Sequence, residues 1–273
     1  MQIVESFLCG KENNPATCED GIYIGEQLVA VIDGVTAKGH RLWNGHKSGY
    51  YAKEVLLNYL KQDGIVQQKP EEFMKNLDGA LRESIESQGA DLKTEEYPRA
   101  SIIIYNDIYK EIWNYGDCQC SINGTVYTHA KEIDEINAKR RAHVLKEALK
   151  NGMSCEELSK MDPGRIAILE NLRTQFDYEN KKGGYGYPIL NGMGIEPSML
   201  CVYKVKAGDE VILASDGYPK LEKSLKESEE ALSHILQKDP MCFRLYPSTK
   251  GVKEGNISFD DRAFCRIVVT VQP

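Results

Sequence analysis

Val211-Ile212-Leu213-Ala214-Ser215-Asp216-Gly217 decides the reading of this chain. A run of apolar and small residues, β-branched at its start, has the composition of a buried strand. It runs directly into an aspartate followed by a glycine. The same device recurs along the chain. Leu28-Val29-Ala30-Val31-Ile32 leads into Asp33-Gly34, Ile112-Trp113-Asn114-Tyr115 into Gly116-Asp117, and Asp260-Asp261 into the strand-like run Ala263 to Val269. A further acidic pair, Glu19-Asp20, precedes Gly21-Ile22-Tyr23-Ile24. Carboxylates at strand ends can converge on one point, and their mutual repulsion then demands a cation. Each segment alone is weak. An Asp-Gly after a strand is more often a turn, and either acidic pair alone reads as solvated surface. Their order and spacing together carry the weight.

Outward from these segments, the chain alternates strand-rich and helical stretches. Apolar spacing predicts helices over His46–Gln62, with Gly64 at its end, and over Pro70–Gln88, where Phe73, Leu77, Leu81 and Ile85 recur at fourfold steps. Strands are expected over Ala100–Tyr105, Tyr109–Tyr115 and Cys118–Tyr127, with Asn123-Gly124 as a hairpin turn. The charged block 131–183 departs from this pattern. It predicts helices near Ile133–Asn151, Ser154–Met161 and Pro163–Glu179, with Ser154 and Glu157 as a capping box. Its apolar positions at helical period mark it as an insertion between strands rather than a linker. Strands resume at Met199–Lys206 and Glu210–Ala214, a helix is expected around Leu221–Gln237, and Phe264–Val271 closes the chain as a strand. Strands bracketing helical pairs, with hairpin-compatible connections, favour antiparallel sheets with helices outside over a doubly wound parallel sheet. No Gly-x-Gly-x-x-Gly and no phosphate-loop lysine motif is present.

Composition narrows the function classes. The 273 residues are 41% hydrophobic and 27% charged, with a net charge of −7, enough for one large domain or two small ones; a single domain over 1–273 is the expectation. The acidic balance disfavours general nucleic-acid binding. No apolar run reaches a membrane span of roughly 18 residues, and the N-terminus lacks the pattern of a signal peptide, so a cytoplasmic location is the expectation. Eight scattered cysteines without a Cys-x-x-Cys read as reduced thiols. The five histidines show no paired ligand spacing, which argues against zinc.

Short aspartates on strand ends suit magnesium or manganese, which prefer oxygen ligands. Glycine after the aspartate lets the main chain approach an ion closely. Two such ions about 4 Å apart share a bridging water, lower its pKa and direct it at phosphorus.

Read in order, Glu19-Asp20, Ala30-Val31-Ile32-Asp33-Gly34 with Gly39, Tyr115-Gly116-Asp117, Leu213-Ala214-Ser215-Asp216-Gly217 and Asp260-Asp261 resemble the metal-dependent serine/threonine protein phosphatases, the PPM or type 2C family. The resemblance spans about Glu19 to Val271. It implies an α+β fold: a four-layer αββα sandwich of two antiparallel sheets flanked by helices. The insertion 131–183 falls where the family's variable flap lies. Carried over position by position, Asp33 bridges two Mg2+ or Mn2+ ions, the Gly34 carbonyl contributes to one, and Asp216 and Asp260 complete the other. Glu19 and Asp20 bind through waters or at the edge. Asp117, with Asp216, holds a third and weaker ion, and Asp261 has a support role.

Two departures stand out. Many members carry an arginine before the Glu-Asp pair to hold the substrate phosphate, whereas Lys11 to Cys18 contains none. Many carry a histidine after Asp-Gly as general acid, whereas Val35 stands there. Lys11, Lys38, His40 and Arg41 are the candidate replacements, and His40 is assigned as the acid with Asp33 and Asp216 as catalytic carboxylates. Arg262, beside the acidic pair, can point away through strand alternation. The expected function is hydrolysis of phosphoserine or phosphothreonine in a phosphorylated protein. The alternatives are a non-catalytic regulatory or binding protein of the same fold, which the missing arginine and histidine favour, and a two-metal nuclease or phosphodiesterase, which the acidic charge disfavours.

Overall fold

The computed structural model describes residues 1–36, 38–89 and 94–271. Ten strands form two five-stranded sheets, and every strand pair is antiparallel. One sheet contains β1 (Gln2–Cys9), β6 (Gln119–Ile122), β7 (Thr125–Tyr127), β9 (Glu210–Ala214) and β10 (Arg262–Val268), in the order β1-β10-β9-β6-β7. The other contains β2 (Asp20–Ile24), β3 (Leu28–Gly34), β4 (Ala100–Asn106), β5 (Glu111–Tyr115) and β8 (Cys201–Lys204), in the order β2-β3-β4-β5-β8.

The two sheets face each other across a core of Val29, Val31, Ile103, Tyr105, Cys118, Cys120, Val211, Leu213, Ala263, Cys265 and Ile267. Alternation along β3 sends Leu28, Ala30 and Ile32 to the opposite face, where they meet Ala52, Leu56, Phe73, Leu77 and Leu81. Those residues belong to α1 (Ser48–Tyr59) and α2 (Pro70–Ser87). Burial on both faces is why β3 reads as a continuous apolar run rather than an alternating one. Behind the other sheet, α6 (Leu225–Lys238) covers a cluster of Ile212, Ala214, Tyr218 and Phe264 through Leu225. The result is the expected α+β fold, two antiparallel sheets between helices.

The block that breaks the strand pattern contains α3 (Glu132–Lys150), α4 (Cys155–Lys160) and α5 (Pro163–Thr174). The Ser154–Glu157 capping box is present, with both reciprocal bonds made. These helices are anchored to the 239–248 loop. Arg141, fully buried on α3, donates to Asp162 Oδ2 at 2.9 Å and to the carbonyls of Met241, Cys242 and Ser248 at 2.8–3.0 Å. Ala142, Leu145 and Leu158 pack on Met241 and Phe243 beside it.

Two boundaries differ from the sequence reading for identifiable reasons. α1 begins at Ser48 because the His46 N–H and C=O exchange bonds with Trp43 across a tight turn, with Asn44 and Gly45 at positive φ. His46 is thereby unavailable to the helix. α5 ends at Thr174 and tightens into a 3-10 turn over Gln175–Tyr178.

Candidate metal centre

Sheet pairing brings the acidic segments together. Asp20 on β2 lies opposite Asp33 on β3, and Asp33 lies opposite Ser101 on β4. On the facing sheet, β9 runs beside β10, and the Ser215 N–H donates to the Ala263 carbonyl at 3.0 Å just beyond the paired strands. Asp216 and Asp260 therefore leave that sheet at the same end. Gly217 sits so close to the Asp261 main chain that a Cβ would collide with its carbonyl. Gly34 is equally confined, with its N–H bonded to the Glu19 carbonyl at 3.1 Å and no room for a Cβ against Gly49. At both sites glycine serves close backbone approach.

Asp33, Gly34, Asp117, Asp216 and Asp260 line one cavity of about 540 Å3. Asp33 and Asp216 both line it, near enough that the Asp33 charge acts on Asp216. Burial, then the neighbouring carboxylates, push Asp20, Asp33 and Asp216 well above the usual carboxylate range. Asp117 and Asp260 behave oppositely. Burial again acts upward, but Lys131 on Asp117, and Lys250 and Lys11 on Asp260, hold these two carboxyls below the ordinary value. Lys131 Nζ is 2.6 Å from Asp117 Oδ2, and Lys250 pairs with Asp260.

Glu19 and Asp20 are buried, at 1% and 2% exposure, rather than forming a surface pair. Glu19 Oε1 and Asp20 Oδ2 have no hydrogen-bond partner among the described residues. Asp261 ties the preceding loop in place, accepting from Lys11 N at 2.7 Å, Lys11 Nζ at 2.9 Å and Glu19 N at 3.1 Å.

The candidate cations separate clearly. Lys11 reaches the cluster, 3.2 Å from Glu19 and 3.6 Å from Asp260. Lys38 lines the cavity, whereas His40 is exposed and lies outside the lining, so the general-acid assignment has no geometric support from this arrangement. Arg41 stacks over the Trp43 ring at 4.6 Å, and Arg262 pairs with Glu229 of α6 at 2.9 Å, facing away from the carboxylates. Sequence reasoning missed Lys131, Lys250 and Arg165, which lie in a helical block and a loop with no motif of their own. Their signal is topological: they line the same cavity wall as Asp117 and Asp260.

Among the described residues, no group of three or more His, Cys, Asp or Glu side chains stands in ready coordination geometry. Two ammonium groups account for part of this, since Lys131 and Lys250 each hold a carboxylate that would otherwise face the cluster. The donor set still fits a hard divalent ion. It consists of carboxylate oxygens, two of them buried and unpartnered, around Asp33 and Asp216, whose burial beside other carboxylates is unfavourable without a cation.

Compared with solved structures, the chain aligns over 99% of its length with 100% of the Mycobacterium tuberculosis serine/threonine phosphatase PstP/Ppp, at 15% identity and a TM-score of 0.50. It aligns over 99% of its length with 96% of the Staphylococcus aureus serine/threonine phosphatase Stp1, at 14% identity and a TM-score of 0.50. A bacterial serine phosphatase aligns over 98% of both chains, at 13% identity and a TM-score of 0.50. No protein-family model matches the sequence, nor does any curated protein. The chain has the fold of the PPM-type serine/threonine phosphatases.

Proposed function

We propose that this chain is a divalent-metal-dependent phosphatase that removes phosphate from phosphoserine or phosphothreonine. One observation carries the reading: Asp33 and Asp216, carried by opposite sheets, line one cavity together with Asp117, Asp260 and the ammonium groups of Lys11, Lys131 and Lys250. A pure scaffold gains nothing from carboxylates that repel one another. Asp33, Asp216 and Asp20 would hold Mg2+ or Mn2+, with the Gly34 carbonyl, Glu19 and Asp260 completing the set and Asp117 at its edge. Bound ions would supply charge neutralisation at the phosphoryl group and an activated water. Asp261 keeps Glu19 and the Lys11 loop fixed against this centre. Lys11 and Lys250 are placed to orient phosphoryl oxygens, the task for which the Lys11–Cys18 stretch offers no arginine. The eight cysteines are all free thiols, which suits a reducing, cytoplasmic setting.

A second reading, a non-catalytic binding protein of the same fold, is favoured by one observation. The Lys131–Asp117 and Lys250–Asp260 pairs already neutralise two of the carboxylates. Hydrolysis of a phosphoserine peptide, measured with and without manganese, separates the two. Manganese-dependent turnover that disappears in Asp33→Asn supports the phosphatase. Turnover that survives unchanged in that variant, or no turnover at all, refutes it.

A further inference from the structure

Three cations of the cavity lining lie outside the ion pairs of the carboxylate cluster, in a lining that also carries Glu12, Asp134, Glu135 and Asp162. Lys38 comes from the segment after β3, Arg165 from the first turn of α5, and Lys253 from the loop before β10, and all three line the cavity. Among the described residues none of the three makes a carboxylate ion pair within 4.0 Å. Lys38 Nζ donates to the Thr36 carbonyl at 2.9 Å, and Arg165 Nη1 to the Thr249 carbonyl at 2.7 Å. Asp162 holds Arg141 and caps α5, and Asp134 stands 4.0 Å from Lys131, itself paired with Asp117.

We propose that Lys38, Arg165 and Lys253 form a second anion site, distinct from the carboxylate cluster, so that the preferred substrate is a phosphomonoester bearing a second anionic group beside the scissile phosphate. Cations gathered from three elements, Lys38 and Arg165 half-buried and Lys253 exposed, repel one another, and an anion removes that repulsion. Burial first, and then the Arg165 and Lys250 charges, pull the Lys38 ammonium down to about 7. Lys253 is lowered by burial and by Arg165 in the same way. At about 540 Å3 the cavity has the size of small-molecule sites, about 300–1,000 Å3, and exceeds what one phosphate fills. Arg141 fixes α3 and α5 to the 239–248 loop, so this wall is preformed.

The substrate half of this inference rests on the phosphatase reading; the anion site does not. Inorganic phosphate titrated into chelator-treated protein tests the site alone. Saturable binding should weaken about tenfold in Lys38→Met and in the exposed variant Lys253→Met, the loss of one charge-assisted contact. Asp33→Asn should keep its affinity within about twofold, because that carboxylate lies outside the site. Absence of saturable binding, or binding as tight as wild type in either lysine variant, overturns the proposal. With manganese, a phosphoserine peptide with an adjacent acidic residue should exceed its neutral counterpart about tenfold in kcat/KM, and Lys253→Met should erase the difference. Equal turnover of the two peptides overturns the substrate preference. A nucleoside bisphosphate run in parallel assigns the source: faster turnover than the peptide points to a small molecule, slower turnover to an acidic protein segment. If neither class is hydrolysed, the phosphatase reading fails, while the phosphate titration still decides the anion site.

Discussion

At the scale of single residues, function and stability oppose each other in this cavity. Asp33 and Asp216 line it together; burial raises both, and then the Asp20 charge acts on Asp33 and the Asp33 charge on Asp216. Asp216→Asn should therefore stabilise the metal-free protein by about 3 °C, the shift that roughly 1 kcal/mol gives a domain of this size. The same variant should lose the gain in melting temperature that manganese gives the wild type, and thermal melts with and without the ion check both. Lys38 gives the corresponding case for a cation. Its folded-state value is depressed to about 7 from 10.5, chiefly by burial and then by Arg165 and Lys250. Below pH 7 both states carry the proton and the full penalty is present. Between about pH 7 and 10.5 the unfolded chain binds more protons, so stability rises with pH. Lys38→Met should melt higher than wild type at pH 6, with the gap closing as pH rises to 10. A constant gap would contradict the assignment. The Asp-Gly segments were legible in sequence because strand ends with short carboxylates have few other uses in such number. Lys131 and Lys250 were not, because a lysine in a charged helix or loop has the composition of surface, and only tertiary packing turns it inward.

At the scale of elements, apolar periodicity predicts most of the helices and strands, and local geometry sets their ends. The Phe73, Leu77, Leu81 spacing becomes the buried stripe of α2. The start of α1 was not legible, because the turn through Asn44 and Gly45 claims the His46 backbone. The insertion 131–183 falls where the resembled family's variable flap lies, and the structure fastens it through Arg141, whose guanidinium bonds to one carboxylate and three carbonyls. Arg141→Met leaves those buried acceptors unpaired and should cost about 3 kcal/mol in urea unfolding. It should also open the 131–183 block to limited proteolysis before the sheets yield. If the sheets and the insertion instead became protease-sensitive together, the insertion would be an integral part of the core rather than a fastened wall.

At the scale of the whole molecule, two sheets deliver carboxylates from segments 13 to 241 residues apart, Asp20 to Asp33 and Asp20 to Asp261, into one cup. The fold was readable because five acidic segments sit in a fixed order on strands that also satisfy a two-sheet pattern. Substrate choice was not, since it depends on which cations the insertion and the 247–256 loop present to the cavity. The central claim is that this cup binds divalent cations through Asp33 and Asp216. Calorimetric titration of manganese into the metal-free protein tests it most directly. The account predicts saturable binding that Asp33→Asn and Asp216→Asn each abolish, while both variants remain folded. Binding of equal strength in both variants, or none in the wild type, would contradict it.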